Sequence, residues 1–315
     1  IQLVNVFFVI WYYGARILRG EFTFRQVFLR TPYIFNQVSA YAHIILRNRP
    51  SDTVFSFQLQ SLFDTSIKNI DHFVYTDHTH LENLNYSEFS DKKLYASAWI
   101  NCEHQVYAHA KRVFTRSTNI SLSLREQYHC KPEKIVCVYG GSNIPLQSFP
   151  IAEKKTSKRI LFVGIDWERK GGPDLIEAFL LVLKKHPDAQ LTIIGGQPNL
   201  NHPQIQVVGR VSPAEMPKYY LEATVFCLPT KLEPFGAVLI EALAYKLPVI
   251  ATRIGAIPDF VIPGENGYLI MPGDIQGIAE ALIDILSDPA KCVRFGEAGY
   301  DLVQTRYTWE SVGAR

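Results

Sequence analysis

The chain has 315 residues, of which 47% are hydrophobic and 20% charged, and its formal net charge is +2. This length accommodates two domains, since a typical domain has about 150 residues. A charge so close to zero disfavours nucleic acid as a partner, because polyanion-binding chains are strongly basic. The five cysteines have no paired short spacing, so they predict neither a disulfide framework nor a zinc site and favour a cytoplasmic location.

The first apolar run extends from Ile1 to Tyr13 and is interrupted only by Gln2 and Asn5. It is shorter than the about 20 residues that span a bilayer, and it lacks the basic start and cleavage site of a signal peptide. We therefore predict a core strand or helix of a first domain. Four arginines follow closely: Arg16, Arg19, Arg25 and Arg30. Such a basic stretch also allows a peripheral contact with anionic lipid at the inner membrane face.

Strand and helix patterns alternate through the rest of the first half. The predicted strands are TVFSFQ, HFVYTDHT and KIVCVYGG, and a helix is predicted from Lys92 to Val113. This order indicates an α/β protein with a parallel sheet flanked by helices. The polar segment FPIAEKKTSK, residues 149–158, indicates a linker, so we predict domains over 1–150 and 159–315.

His78 follows the HFVYT strand, at a position where parallel-sheet proteins place functional groups. A structural histidine is the simplest interpretation. A metal site on His78 and His80 is the weakest one, because no third ligand has a suitable spacing.

The second half begins with LFVGIDWERKGGPDLIEAF, which predicts a strand, a glycine turn, a charged loop and a helix. Arg169 and Lys170 lie directly before that helix. Two cations at a helix amino terminus repel each other unless an anion joins them, so the pair can face a diphosphate. A solvated basic pair explains this segment, taken alone, equally well. Further strands, QLTIIGG, IQVVG, TVFCLP, PVIAT and GYLI, are separated by predicted helices over 213–222, 236–245 and 274–286.

The stretch EPFGAVLIE, residues 233–241, sets two carboxylates around the start of a helix. The free N–H groups and macrodipole of a helix amino terminus attract phosphate, and Gly236 lets an anion approach the backbone. Glu241 lies roughly 7.5 Å along the helix axis from Gly236. Glu233 and Glu241 could each accept hydrogen bonds from vicinal hydroxyls, one from a sugar and one from a ribose. Taken alone, the two would be a solvated loop residue and a polar helix position.

Together these segments resemble the retaining glycosyltransferases of family 4, which have the GT-B fold of two facing Rossmann-like domains. The resemblance is strong from Arg159 to Trp309 and weaker before it. It implies that Glu233 contacts the donor sugar, that Glu241 holds the ribose and that Lys170 neutralises the diphosphate. It also implies donor contacts from the backbone N–H groups of five successive residues: Phe235, Gly236, Ala237, Val238 and Leu239.

The resemblance extends to the base-binding and acceptor sides. It places Arg210 and Val211 near the base, and it matches His78 to a histidine near the reacting sugar, in a site formed where the two domains face each other. Many members carry an arginine directly after the strand glycine, where this chain has Ile165, and we expect Arg169 to supply that charge. The family's glycine-rich first loop and final helix are not visible, so we expect a chain truncated at both ends.

The implied function is transfer of a glycosyl group from a UDP-sugar or GDP-sugar to a saccharide or lipid-linked acceptor, with retention at the anomeric carbon. Lys170, Arg169 and the helix terminus at Gly236 would stabilise the leaving phosphate without a metal or other cofactor. Two alternatives stay open. One is a non-catalytic nucleotide-sugar-binding module, and the less favoured one is a two-carboxylate glycosidase, which needs no diphosphate site.

Overall fold

The computed structural model describes residues 2–87, 89–144 and 157–315. They divide into two compact units, Ile1–Val138 and Tyr139–Arg315. Each unit contains one parallel β-sheet, and helices pack against both sheets. The predicted α/β class with two parallel sheets is confirmed. The linker predicted over 149–158 falls largely on residues outside the described ranges.

The first unit contains four strands and five helices among its described residues. The helices are α1 (Gln2–Leu18), α2 (Phe24–Val27), α3 (Pro32–Arg47), α4 (Ser97–His109) and α5 (Thr118–Glu126). The strands are β1 (Phe55–Leu59), β2 (Asp71–Thr76), β3 (Arg112–Thr115) and β4 (Ile135–Cys137), in the order β1-β2-β3-β4. The largest core of this unit joins β2 and β3 to the helices α3, α4 and α5 through buried side chains that include Phe35, Val74, Val106, Val113, Ile120 and Leu124.

The N-terminal apolar run forms a helix, which is one of the two structures predicted for it. Asn5, Val9 and Tyr13 recur at helical spacing and are buried, which places the opposite face of α1 towards solvent. No helix within the described ranges combines the length and hydropathy needed to cross a membrane.

The helix predicted from Lys92 to Val113 is wrong at both ends. Helix α4 begins at Ser97, and it ends at His109 because the following residues form strand β3. Val106, Ala110 and Val113 are all buried at the spacing i, i+4, i+7, which is a helical pattern. The helical spacing of buried residues therefore continues from α4 into β3. The end of α4 becomes evident only from the pairing of β3 with β2.

The second unit has a six-stranded sheet. Its strands are β5 (Arg159–Gly164), β6 (Gln190–Gly195), β7 (Ile205–Gly209), β8 (Val225–Leu228), β9 (Val249–Thr252) and β10 (Gly267–Ile270). Its helices are α6 (Gly172–Lys185), α7 (Met216–Glu222), α8 (Ala237–Ala244), α9 (Ile275–Ser287), α10 (Pro289–Arg306) and α11 (Trp309–Gly313). All six predicted strands of this half are confirmed. The helix predicted over 213–222 begins later, at Met216, and residues 213–215 form a turn in which the N–H of Glu215 donates to the carbonyl oxygen of Ser212 at 3.0 Å.

The strand order of the second sheet is β10-β9-β8-β5-β6-β7. From β5 the chain continues to one edge through β6 and β7, and it then returns to form β8 on the other side of β5. In open parallel sheets, ligands bind beyond the carboxyl ends of the strands at such a reversal. The loops that leave β5 and β8 therefore border the position where this fold type accommodates a ligand.

The two loops approach each other closely at Gly171. This residue has a φ of 73°, and a Cβ atom on it would lie 1.9 Å from the carbonyl oxygen of Pro229. A side chain cannot fit between these two backbones, so glycine is required both for the left-handed conformation and for the contact.

We predict that Gly171→Ala lowers the free energy of unfolding by about 3 kcal/mol or more, because strain in φ adds to a collision with backbone. The matched control is Gly264→Ala. Gly264 also has a positive φ, 80°, but a Cβ on it would have no neighbour within 4 Å. The control should lose only about 1 to 2 kcal/mol. Urea unfolding of both variants measures the difference, and equal losses would contradict the proposed contact.

Candidate active site

Backbone hydrogen bonds tie the loop after β5 to the loop after β8. The N–H of Lys231 donates to the carbonyl oxygen of Arg169 at 2.8 Å, and the Thr230 hydroxyl donates to the same oxygen at 3.2 Å. In return, the Arg169 guanidinium donates to the carbonyl oxygen of Leu232 at 2.7 Å. These contacts bring together two segments that are far apart in the sequence.

Lys170 and Glu233 meet where these loops join. The Lys170 ammonium group donates a hydrogen bond to the Glu233 carboxylate, across 63 residues of sequence. Both side chains are largely buried, at 13% and 10% exposure. Because water is mostly excluded, the two charges stabilise each other more strongly than an exposed pair, and loss of either one would leave the other uncompensated.

Gly164, at the end of β5, makes room for the lysine. A Cβ atom on Gly164 would lie 2.9 Å from Cγ of Lys170. Gly195 at the end of β6 has a similar role, since a Cβ there would lie 2.9 Å from the Gly164 carbonyl. The two glycines thus keep the carboxyl edge of the sheet open beside the lysine.

Arg169 holds the loop as well as carrying charge. Its Nε donates to the Asp166 carboxylate at 3.1 Å while another guanidinium nitrogen donates to the Leu232 carbonyl. Ile165, at the position where arginine was expected from the resemblance, is exposed. That Arg169 supplies the missing charge remains a prediction.

Helix α8 presents backbone and not side chains at its amino end. Gly236 caps the helix with a φ of 89°. The side chains of Phe235 and Leu239 are buried in the core, whereas Ala237 is exposed and Val238 is half-buried. The first N–H groups of a helix have no acceptor within the helix. The N–H of Leu239 is nevertheless engaged, since it donates to the carbonyl oxygen of Gly236 at 2.9 Å. Anion binding by the N–H groups of this segment remains a prediction.

Glu241 lies on α8 and accepts a hydrogen bond from the Tyr220 hydroxyl at 2.8 Å. Burial raises the pKa of Glu241, and the hydrogen bond from Tyr220 partly opposes that rise. Tyr220 itself stacks on Tyr245, with ring centroids 5.0 Å apart. No sequence pattern indicated Tyr220 as a functional residue, because a tyrosine in a short amphipathic helix has the pattern of an ordinary core residue.

A cavity of about 640 Å³ lies at the carboxyl ends of β5 and β6 in the second unit. Five of the predicted residues line it: Arg169, Lys170, Arg210, Val211 and Val238. Its other lining residues include Ile165, at the position where arginine was expected, and the apolar side chains of Val163, Ile194 and Met216, which the sequence did not indicate. Three cations beside an apolar wall suit a ligand with a flat apolar part and an anionic part.

His78 lies in the first unit, after β2, and lines a separate cavity. Burial is the main influence on its pKa and lowers it, although Asp77 acts in the opposite direction. Its ring is therefore neutral at neutral pH. Its Nδ1 is buried and has no hydrogen-bond partner in the described part of the chain. A role of His78 in catalysis remains a prediction.

His80 has a structural role, since its Nε2 accepts the N–H of Tyr95 at 2.8 Å. Across residues 2–87, 89–144 and 157–315, no group of three or more His, Cys, Asp or Glu side chains is arranged to hold a metal ion. None of the five cysteines is joined to another by a disulfide.

Comparison with known proteins gives matches over most of the chain. Residues 143–302 match the model of a family described as Glycosyl transferases group 1. D-inositol 3-phosphate glycosyltransferase of Corynebacterium aurimucosum is 27% identical over 271 residues, which are 77% of this chain and 64% of that protein. A GDP-mannose-dependent alpha-(1-6)-phosphatidylinositol monomannoside mannosyltransferase of Mycolicibacterium smegmatis is 33% identical over 165 residues, which are 47% of this chain and 43% of that protein. The chain thus spans less than two thirds of the length of these curated relatives.

Among solved structures, sucrose-phosphate synthase from Thermosynechococcus elongatus matches with a TM-score of 0.72 and 22% identity, covering 90% of this chain and 76% of that chain. At this identity the likeness shows the fold, and the expected GT-B fold is confirmed.

The raised pKa of Glu241 predicts a pH-dependent stability. A carboxyl whose pKa is higher in the folded state binds its proton more tightly there, so its contribution to stability is lost as pH rises from the ordinary value of 4.5 through the folded-state pKa. As the pH rises over this window, the free energy of unfolding of the unmodified protein should therefore fall relative to that of Glu241→Gln. Tyr220→Phe removes the hydrogen bond that lowers the pKa and should extend the loss to higher pH.

Urea unfolding of the three proteins from pH 4.5 to pH 8 measures this effect. A stability difference between the unmodified protein and Glu241→Gln that does not change with pH would show that burial does not control this carboxyl.

Proposed function

The chain belongs to the group 1 glycosyl transferases, and on this premise we propose that it transfers a glycosyl group from a nucleotide-diphosphate sugar to an acceptor hydroxyl. The observation that carries the proposal is the contact of Lys170 with Glu233 beside a cavity of about 640 Å³ lined by two further cations, Arg169 and Arg210. A buried carboxylate suited to sugar hydroxyls and a group of cations suited to a diphosphate thus occur side by side.

Each part of the donor has a candidate partner in this site. The diphosphate would bind Lys170, Arg169 and the first N–H groups of α8. The ribose would bind Glu241, which Tyr220 already orients, and the base would lie near Arg210 and Val211. Preorganised donors of this kind lower the barrier because negative charge grows on the leaving phosphate in the transition state.

We also propose the finer assignment to the retaining, family 4 type. Two carboxylates of the described residues are relevant to a covalent intermediate, Asp166 in the cavity lining and Glu233 beside Lys170, and each accepts a hydrogen bond from a cation. These contacts support a mechanism without a covalent glycosyl-enzyme intermediate. In such a mechanism the acceptor attacks on the face that the phosphate leaves, and the departing phosphate takes the acceptor proton. Lys170 and Arg169 would supply the charge stabilisation that a metal supplies in other enzymes, so no cofactor is included in the proposal.

The donor would be a UDP-sugar or a GDP-sugar, and the acceptor a saccharide or a lipid-linked saccharide. Two relatives support this range by their names, since one is called a D-inositol 3-phosphate glycosyltransferase and the other a phosphatidylinositol monomannoside mannosyltransferase.

A peripheral contact with the inner face of an anionic membrane is a further part of the proposal. The solvent-facing side of α1 is apolar along its length, with Phe7, Trp11 and Leu18 exposed by 75%, 83% and 90%. Arg19, near the end of this helix, and Arg25 in α2 are exposed cations. An apolar helix face next to exposed cations suits insertion among anionic headgroups. A cytoplasmic location follows from the same proposal.

Removing the charges of the donor site should reduce turnover without preventing folding if both partners are changed. We expect the double variant Lys170→Met/Glu233→Gln to lose about 100-fold or more in turnover, as for loss of preorganised electrostatic groups. The double change avoids leaving one buried charge unpaired. Lys184→Ala, which removes an exposed cation from the last turn of α6, is the control and should retain activity.

The measurement is release of nucleoside diphosphate from UDP-sugars and GDP-sugars, with calorimetric binding of UDP and GDP in parallel. Nucleotide binding without release or transfer would contradict the enzyme and support a binding module. Hydrolysis of a glycoside that contains no nucleotide would instead support a glycosidase.

Membrane contact should depend on the exposed face of α1. We expect Phe7→Glu/Trp11→Glu to weaken binding to phosphatidylglycerol vesicles by about 100-fold, because each large apolar side chain contributes about 1.5 kcal/mol or more. Leu180→Glu, on α6, changes an exposed leucine outside this face and serves as the control. Vesicle sedimentation measures the binding. Equal binding by the two variants would rule out α1 as the contact surface.

A further inference from the structure

The first unit contains a cavity of about 360 Å³ that is distinct from the proposed donor site in the second unit. Aromatic side chains form much of its wall, including Phe22, Tyr95 and Trp99. His78 also lines this cavity, which connects it with the residue predicted to lie near the reacting sugar. Aromatic faces next to a few polar groups are typical of a pocket that binds a small ligand in one orientation.

His80 orders this aromatic wall. Its ring stacks on Tyr95 with centroids 4.1 Å apart and meets Trp99 edge-on at 5.5 Å. Burial lowers the pKa of His80 to about 3, so the ring is neutral and its Nε2 can accept the N–H of Tyr95. His80 thus holds Tyr95 by ring stacking and a hydrogen bond, and it holds Trp99 by packing.

Arg30 lies against the same two rings. Its guanidinium carbon is 5.4 Å from the ring centre of Tyr95 and 5.3 Å from that of Trp99. The backbone of Arg30 is also fixed, since the Tyr13 hydroxyl donates to its carbonyl oxygen at 2.6 Å and accepts the N–H of Ala96 at 3.0 Å. A cation held over aromatic rings is positioned without an anion.

The guanidinium of Arg30 forms no ion pair and donates no hydrogen bond to the residues that the structure describes. Half-buried cations normally have such partners. The five N–H donors of Arg30 are therefore available to a ligand, and their planar arrangement matches the two oxygens of a phosphate or carboxylate.

The charge balance of the cavity also favours an anion. Glu103 is the carboxylate of the lining, and it already accepts hydrogen bonds from Ser61, Tyr128 and the N–H of His80. Burial raises the pKa of Glu103. Among the described lining residues, the one carboxylate is thus already engaged by other donors and does not pair with Arg30.

We propose that this cavity binds an acceptor saccharide that carries a phosphate or a carboxylate. The anionic group pairs with Arg30, which lies over Tyr95 and Trp99, and the sugar occupies the rest of the cavity beside Gln60, His78 and Asn83. The inference deepens the proposed function, on which it rests, by naming the class of acceptor. It assigns Arg30 as the residue that selects anionic acceptors over neutral ones.

The test is a titration of the full chain with glucose 6-phosphate, glucuronate, glucose and inorganic phosphate, followed by tryptophan fluorescence. The signal from this cavity is the part that disappears in Trp99→Phe. We expect glucose 6-phosphate or glucuronate to bind at least about 10-fold more tightly than glucose, as expected for one charge-assisted pair. Arg30→Gln should remove this preference, and Arg30→Lys should retain part of it.

Arg125→Gln is the matched control, because Arg125 is an exposed arginine of the same unit that pairs with Glu126. It should bind all four probes as the unmodified protein does. Arg30 has no carboxylate partner whose charge would be left buried, so Arg30→Gln should fold, and its thermal unfolding checks this. Equal affinity for glucose and glucose 6-phosphate, or unchanged affinity in Arg30→Gln, would overturn the proposal. Inorganic phosphate binding as tightly as glucose 6-phosphate would overturn the saccharide part.

Failure of the donor function gives a different result. Calorimetry with UDP and GDP reports on the second unit, and the probe titration reports on the first. If neither nucleotide binds while Arg30-dependent binding of glucose 6-phosphate persists, the proposed transferase is wrong and the anionic site stands.

Discussion

The ion pair between Lys170 and Glu233 depends on a constraint set by the sheet. Strands β5 and β8 are neighbours although sixty residues lie between them in the sequence, and their carboxyl ends lie at the same edge. The loops that follow are joined by hydrogen bonds between Arg169, Lys231 and Leu232. A buried lysine next to a buried glutamate needs this accuracy, because each charge loses most of its water and must be compensated by the other.

The pair of Lys170 and Glu233 also suggests how a donor would bind in the cavity. Lys170 contacts Glu233 and lines the cavity at the same time. A diphosphate in the cavity would share the lysine with the glutamate, and the Glu233 oxygens would then accept from sugar hydroxyls instead. Gly164 and Gly171 make the arrangement sterically feasible, since a side chain at either one would collide with the lysine or with Pro229.

Sequence patterns located most of the second unit and less of the first. The strands β5 to β10 are short runs of buried apolar residues, and such runs are easy to recognise between turns. Helix α10 escaped prediction because Gly296 and Gly299 lie inside it, where they allow close contacts with Lys246 and Leu243. In the first unit, Val113 continued the apolar spacing of α4 although it belongs to β3, so the pattern predicted one long helix.

The amino-acid sequence by itself determined the α/β class, the parallel sheets and the two segments that carry Lys170 and Glu233, because all of these are local patterns of apolar residues, glycines and charges. Only the tertiary structure decided which of these groups meet. It joined Lys170 to Glu233, set Tyr220 against Glu241 and placed Arg30 over Tyr95 and Trp99. Each of these contacts links residues that are distant in the chain, and their distance depends on strand order and helix packing, which no local pattern specifies.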